Sequence, residues 1–392
     1  MVSHDPIQFA SGLSAKLATR SRHVCMFLGA GMSRACGLPD VGQLQERVVK
    51  VLGKTDASVL AEQLKAGNLE HVLTRLRRIA ALLTGDQQVD GLTAASAAAL
   101  DATICAAIVR ELDLGTADLT PAVRLAAWVA RAEYHLPVEL FTVNYDLLLE
   151  TALEQLRIPY FDGFIGTLRA RFQTELVEST PRGRGDSVPA FFSRLWKLHG
   201  SVNWAWEEGK QIVRLGQPVP DGSMAAIYPS DTKYEESRRV PFVVLQDRLR
   251  RALHEPETLV LISGYSFSDE HLNELLFDAA TRRERSELVA ICFSDPPQVL
   301  IDRAKTTPNL QVVSPKAAIL GGIEAPWKAP SEPPPNLWEN EKFALCDFAH
   351  LAEYLARSAT REPERDELIA ALLEKVSPDV PIGGTAPTDT DG

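Results

Sequence analysis

Three short segments of this 392-residue chain hold side chains whose types and spacing could act on a nucleotide. The first is Met26-Phe27-Leu28-Gly29-Ala30-Gly31-Met32-Ser33, continued by Gly37-Leu38-Pro39-Asp40. An apolar run ending in two glycines and a polar turn predicts a buried strand, a tight loop and a helix start. Such loops present unpaired N–H groups that favour an anion such as a diphosphate. The second is Phe141-Thr142-Val143-Asn144-Tyr145-Asp146, where polar side chains directly follow an apolar strand. Ligands of open α/β sheets lie outside the carboxyl ends of the strands, so Asn144 and Asp146 stand where chemistry is done. Capping of the following helix is an equally good reading of Asp146. The third is Lys197-Leu198-His199-Gly200-Ser201. An imidazole, with an ordinary pKa of about 6.5, can take a proton at neutral pH. The glycine after it allows close backbone approach. Gly264-Tyr265-Ser266-Phe267-Ser268-Asp269 repeats the order of strand, glycine, hydroxyl-rich turn and helix, with Ser268 or Asp269 as an ordinary helix cap.

Other chemistries are excluded. The dehydrogenase fingerprint needs a glycine where Arg34 stands, and an acidic residue about twenty positions on is missing. There is no G-x-x-x-x-G-K-[ST] sequence, which rules out a P-loop. The five cysteines, Cys25, Cys36, Cys105, Cys292 and Cys346, form no C-x-x-C pair, so reduced core thiols and no metal are expected. The net charge of −11 opposes non-specific nucleic-acid binding. No apolar run reaches the roughly 20 residues that span a bilayer. No basic-then-apolar leader is evident, and a cytoplasmic location is expected.

Elements that could position these segments follow from periodicity. Strands are predicted at His23–Leu28, Pro137–Val143, Arg194–Leu198, Leu259–Ser263, Leu288–Phe293 and Gln311–Val313. The stretch 43–135 is helical in pattern and reads as an insertion. Strands alternating with helices predict an α/β fold: a Rossmann-like, doubly wound, mainly parallel sheet with a helical insertion and C-terminal helices. Domain limits are 1–320 for the nucleotide-binding unit, 321–336 for a proline-rich linker and 337–376 for a helical segment (Phe348–Ser358 and Asp366–Val376). Residues 377–392 read as a disordered tail, and Arg182–Asp186 as a mobile loop that could form a lid.

Taken together, the segments resemble the sirtuin family: G-A-G-x-S with G-[IL]-P, then T-x-N-x-D, H-G and G-x-S, in that order. Lys197–Trp204, Gly264–Asp269 and Asn68–Leu73 are closer to a prokaryotic sirtuin-like branch of NAD-consuming anti-phage effectors. The resemblance implies that Gly29, Ala30, Gly31 and Ser33 line the diphosphate of NAD. It implies that Asn144 contacts the nicotinamide ribose or the attacking water, that Asp146 faces the carboxamide and that His199 is the base. Thr142 and Asp40 belong to the same binding set, while Gly264, Ser266 and Ser294 would lie near the adenosine half. The chain departs from protein deacylases in three places: it has no four-cysteine zinc ribbon, Val41-Gly42 replaces Phe-Arg, and Val143 replaces glutamine. NAD hydrolysis to nicotinamide and ADP-ribose is therefore the expected activity. Alternatives are an NAD or ADP-ribose sensing module without catalysis and, further off, a deacylase or ADP-ribosyltransferase. A homo-oligomer and a HerA-type hexameric DNA-translocating ATPase are the expected partners, with no membrane and no direct nucleic-acid contact.

Overall fold

The computed structural model describes residues 2–179, 188–189, 191–207, 211–222, 225–227, 240–282 and 286–358. The expected 182–186 loop, the 366–376 helix and the 377–392 tail lie outside them.

The core is a nine-stranded sheet in the order Ile323–Pro326, Ala317–Leu320, Leu310–Val313, Glu287–Ile291, Thr258–Ser263, His23–Leu28, Glu139–Thr142, Ser193–Lys197, Tyr160–Phe161. From Leu310–Val313 onward every pairing is parallel, and the first two strands form an antiparallel edge. His23–Leu28 and Thr258–Ser263 are buried along their whole length. Their side chains alternate between two cores: Val24, Met26, Leu28, Leu259 and Leu261 face one, while Cys25, Phe27, Val260 and Ile262 face the other. Strand period of two, with helices on both faces, explains why these strands read as unbroken apolar runs.

The 43–135 insertion is helical as expected, with helices at Val41–Val51, Lys54–Gln63, Leu69–Leu82, Ala94–Glu111 and Thr120–Arg131. Leu69, Val72, Leu73, Leu76 and Ile79 line one face of the third of these and are buried, an apolar stripe at helical spacing. Periodicity did not reveal what they pack on. A second, antiparallel sheet of five strands runs Phe164–Ile165, Arg169–Phe172, Gln211–Leu215, Gly200–Glu207, Ala225–Ile227. Its Val202, Val213 and Ile227 share a core with the insertion, and the Arg77 guanidinium donates to the Ile227 carbonyl at 2.8 Å.

The stretch 321–336, expected as a linker, carries the edge strand Ile323–Pro326 and the buried Trp327. The Trp327 indole donates to the Ser314 carbonyl at 2.8 Å and packs on Phe9 and Phe343. Proline content reports an extended backbone and is silent on whether an aromatic between the prolines finds a core. Helix Phe348–Ser358 also packs into that core through Phe348, Leu351, Ala352 and Leu355.

At the amino ends of the central strands a charged cluster is buried. Glu139, fully buried, accepts from His23 Nε2 at 2.9 Å, Trp196 Nε1 at 2.6 Å and the Arg248 guanidinium. Burial opposes the charge on His23, yet contacts with Cys25 and Glu139 outweigh it and raise the imidazole to about 10. Burial likewise opposes ionised Glu139, but Arg248 and His23 hold its carboxyl well below the usual range. His23, Cys25 and Glu139 bring ligand-type atoms within 4.8 Å of one another. The Arg248 guanidinium and the raised His23 supply the positive charge beside Glu139.

Candidate functional site

The chain leaves the two central strands in opposite directions, from Leu28 toward Glu139–Thr142 and from Ser263 toward Glu287–Ile291. This reversal of strand order opens the crevice in which open α/β sheets bind ligands. The sequence-predicted segments meet here because all three follow the carboxyl ends of parallel strands.

Three glycines interlock at the crevice. Gly29 N–H donates to the Ser263 carbonyl at 3.0 Å and Gly31 N–H to the Gly264 carbonyl at 2.9 Å. A Cβ on Gly29 would lie 2.5 Å from the Gly264 oxygen. One on Gly31 would lie 2.5 Å from Gly264 Cα, and one on Gly264 (φ +68°) would lie 2.7 Å from the Met32 nitrogen. The glycines thus answer first to the contact between two turns. Two N–H groups that the sequence reading gave to a phosphate are occupied within the fold. Ala30, half-buried, begins the short helix that follows.

Asn144 is tied to that turn. Its Nδ2 donates to the Gly29 carbonyl at 3.0 Å, and its own N–H donates to Thr142 Oγ1 at 3.0 Å. The Ser33 hydroxyl donates to Asp146 Oδ2 at 2.5 Å, and Asp146 Oδ1 accepts from Leu148 N–H at 3.1 Å. Asp146 therefore takes up the first N–H of helix Leu148–Gln155, from one position before its cap residue Leu147, and also clamps the glycine turn. Lys197 holds the segment from the neighbouring strand, donating to the Tyr145 carbonyl at 3.3 Å, to the Asp146 carbonyl and to Glu150 at 2.9 Å.

His199 sits where the parallel sheet hands over to the antiparallel one. Gly200, at φ +88°, makes that turn, and a Cβ there would lie 2.0 Å from the Ala226 oxygen. The imidazole is buried, with 4% of the residue exposed. Its Nε2 lies 3.2 Å from Asp269 Oδ2. Its Nδ1 has no hydrogen-bond partner among the described residues and lies 3.9 Å from Glu70 Oε1. Burial pushes the imidazole down, but the bond to Asp269 and the charges of Glu70 and Asp269 outweigh it and raise it above its ordinary value. Burial pushes Asp269 up, while His199 and the N–H groups of Leu272 and His271 hold it low.

The groups form a row of neighbours. From Asn144 it passes to the adjacent Tyr145, whose hydroxyl donates to Glu70 at 2.8 Å, then to His199 and Asp269. The Tyr265 hydroxyl lies 3.0 Å from Asn273 Oδ1 and 3.3 Å from the Asp269 carbonyl, sharing its one hydrogen between them, and its Cα would meet a Cβ on Gly29 at 2.7 Å. Glu70 thus stands between the two segments, bonded to Tyr145 and 3.9 Å from His199 Nδ1. Glu70 and Tyr145 were not singled out from the sequence, and Asp269 was read only as a cap. Glu70 does fall within Asn68–Leu73, a stretch carrying the resemblance noted above, but nothing in its own spacing marks it.

Three expected residues stand apart from this series. Asp40 accepts from Gln43 N–H at 2.9 Å as the cap of helix Val41–Val51, with Arg34 3.9 Å away. Ser266 is exposed, its hydroxyl 2.9 Å from that of Ser268. Ser294 is exposed three residues beyond the strand Glu287–Ile291, beside Phe293, whose ring faces the Arg34 guanidinium at 4.8 Å.

The fold is thus a doubly wound α/β sheet with a polar cluster at its switch point, where proteins of this class bind their ligands. The SIR2-like domain family model matches residues 138–312, less than half of the chain, a similarity that supports an NAD-related function. The match takes in Asn144, Asp146, His199 and Gly264–Asp269. Comparison with curated proteins gives no match. Among solved structures the chain is similar to a histidine-mutant Sir2 homologue in complex with ADP-ribose. The TM-score is 0.41 at 13% identity, over 92% of this chain and 97% of that one.

Proposed function

We propose that this protein hydrolyses NAD to nicotinamide and ADP-ribose. The observation that carries the reading is the buried His199, with one ring nitrogen bonded to a carboxylate and the other unpartnered among the described residues, after one parallel strand, while Asn144 after the neighbouring strand is tied to the glycine turn. A buried polar atom without a partner is costly unless something uses it.

The chemistry asks little acid catalysis of the protein. The bond from the ribose C1′ to nitrogen breaks with its electron pair going to the pyridinium, so nicotinamide leaves neutral. A water oxygen forms the new bond to C1′ and gives up one proton. This is glycoside hydrolysis without protonation of the leaving group. His199 would take the proton directly or through a ribose hydroxyl, and Asn144 would hold the sugar or the water. General-base groups typically contribute about 10²–10⁴-fold.

The rest of the proposal follows the family resemblance: an anti-phage effector that depletes NAD, acting in the cytoplasm as a homo-oligomer paired with a HerA-type ATPase. Purified protein is incubated with NAD, with and without the ATPase, and the products are identified by mass. Release of nicotinamide and ADP-ribose is expected. NAD binding without release under either condition would favour the sensing module. Light scattering after size exclusion tests the assembly, and a monomer unaffected by the ATPase would remove the pairing.

A further inference from the structure

We propose that Asp269 is a positioning residue that fixes the tautomer of His199: the proton stays on Nε2, and Nδ1 is the atom that accepts a proton. The inference rests on the hydrolase reading for its use, although the arrangement itself can be tested without turnover. Asp269 has two distinct oxygens. Its Oδ1 accepts from the N–H groups of His271 at 2.9 Å and Leu272 at 3.2 Å, at the start of helix Glu270–Arg282. Only Oδ2 is turned to the imidazole, 3.2 Å from Nε2. A carboxylate can only accept, so Nε2 must carry hydrogen. In the neutral ring the lone pair then belongs to Nδ1, the nitrogen without a partner among the described residues.

The groups facing the ring complete the device. They are Asp269 from the turn after strand Thr258–Ser263 and Glu70 from the helical insertion. Tyr145 is bonded to Glu70, and Tyr265 is bonded to the Asp269 backbone. When the O–H bond of water or of a ribose hydroxyl breaks, the proton goes to Nδ1 and the oxygen keeps the electron pair. The imidazolium then has Asp269 on one nitrogen and Glu70 Oε1 3.9 Å from the other, near enough for attraction and too far to accept a hydrogen bond that would draw the ring proton to Nδ1 in the neutral form.

The geometry makes Asp269→Asn unusually informative. The two backbone N–H groups require an oxygen at the Oδ1 position, so the amide nitrogen must face His199. An N–H donor there needs a lone pair on Nε2 and moves the ring proton to Nδ1. Wrong-tautomer substitutions of this kind cost about 10⁴-fold in serine proteases. Here a loss of about 10²–10⁴-fold in kcat is expected with KM little changed.

The test is nitrogen NMR of histidine-labelled full-length protein without NAD, with the His199 signal assigned by its loss in His199→Asn. In the wild type, above the pKa of His199, the expected pattern is protonated Nε2 and unprotonated Nδ1. Asp269→Asn should reverse it. Glu70→Gln should keep the tautomer and lower the pKa of His199. A wild-type ring protonated on Nδ1 would overturn the proposal, and so would an unchanged tautomer in folded Asp269→Asn. The wild-type measurement needs no variant beyond assignment. It also stays valid if no nicotinamide is released, an outcome that would defeat the hydrolase reading alone.

Discussion

His199 and Asn144 lie on separate strand ends, the first held by Asp269 and the second by the Gly29 carbonyl. His199→Ala and Asn144→Ala are each expected to lower nicotinamide release by about 10²-fold or more, with the melting temperature close to wild type. The pH dependence follows from the raised imidazole. The base works neutral, so turnover should climb as pH rises through a value above 6.5, the ordinary histidine figure. Stability runs the other way. The His199–Asp269 pair contributes fully below about pH 6.5, and that contribution fades as pH rises through the raised histidine value. On the acid side, the Asp269 contribution is full above about pH 3.8 and is lost as pH falls through its lowered value. A rate profile and a melting series over the same pH range would check both signs.

At the scale of elements, the site exists because turns from adjacent strands touch backbone to backbone. Gly264 and Gly200 each combine a positive φ with a Cβ position that backbone already fills. Gly200→Ala should destabilise by at least about 1–3 kcal/mol, read as a lower midpoint in urea. Tolerance of alanine there would mean that the hand-over between the two sheets is loose. Six parallel strands of the central sheet were legible in the sequence, as was the helical stripe from Leu69 to Ile79, because both are apolar patterns of fixed period; the short edge strands Tyr160–Phe161, Ala317–Leu320 and Ile323–Pro326 were not. The five-stranded sheet was not. Its strands are short and interrupted by glycine and charge, and Val202 and Trp204 go to different cores. No local pattern records that kind of burial.

At the scale of the molecule, two features outside the site hold the architecture together. Glu139 is matched by Arg248, His23 and Trp196 in the interior. Glu139→Gln leaves buried cations without their counter-charge and should cost about 3–5 kcal/mol, measured by chemical denaturation. The His23 contribution is complete below about pH 6.5 and declines as pH passes about 10, so alkaline melting should begin there. Trp327→Ala should cost about 3–5 kcal/mol if the stretch after Ile323–Pro326 belongs to the core. A near-neutral result would return that stretch to the status of a linker.

The sequence by itself determined the strand and helix periods, the glycine turn, and the polar residues at strand ends on which the sirtuin resemblance rests. These are local properties, written in spacing and residue type. Only the tertiary structure decided that the glycines serve a contact between turns and that Asp146 is committed to Ser33 and the Leu148 N–H. It also brought Glu70, some 130 positions before His199 in the chain, to the same imidazole as Asp269. Contacts between distant segments depend on how the layers pack, and the pattern along any one segment carries no record of its neighbour.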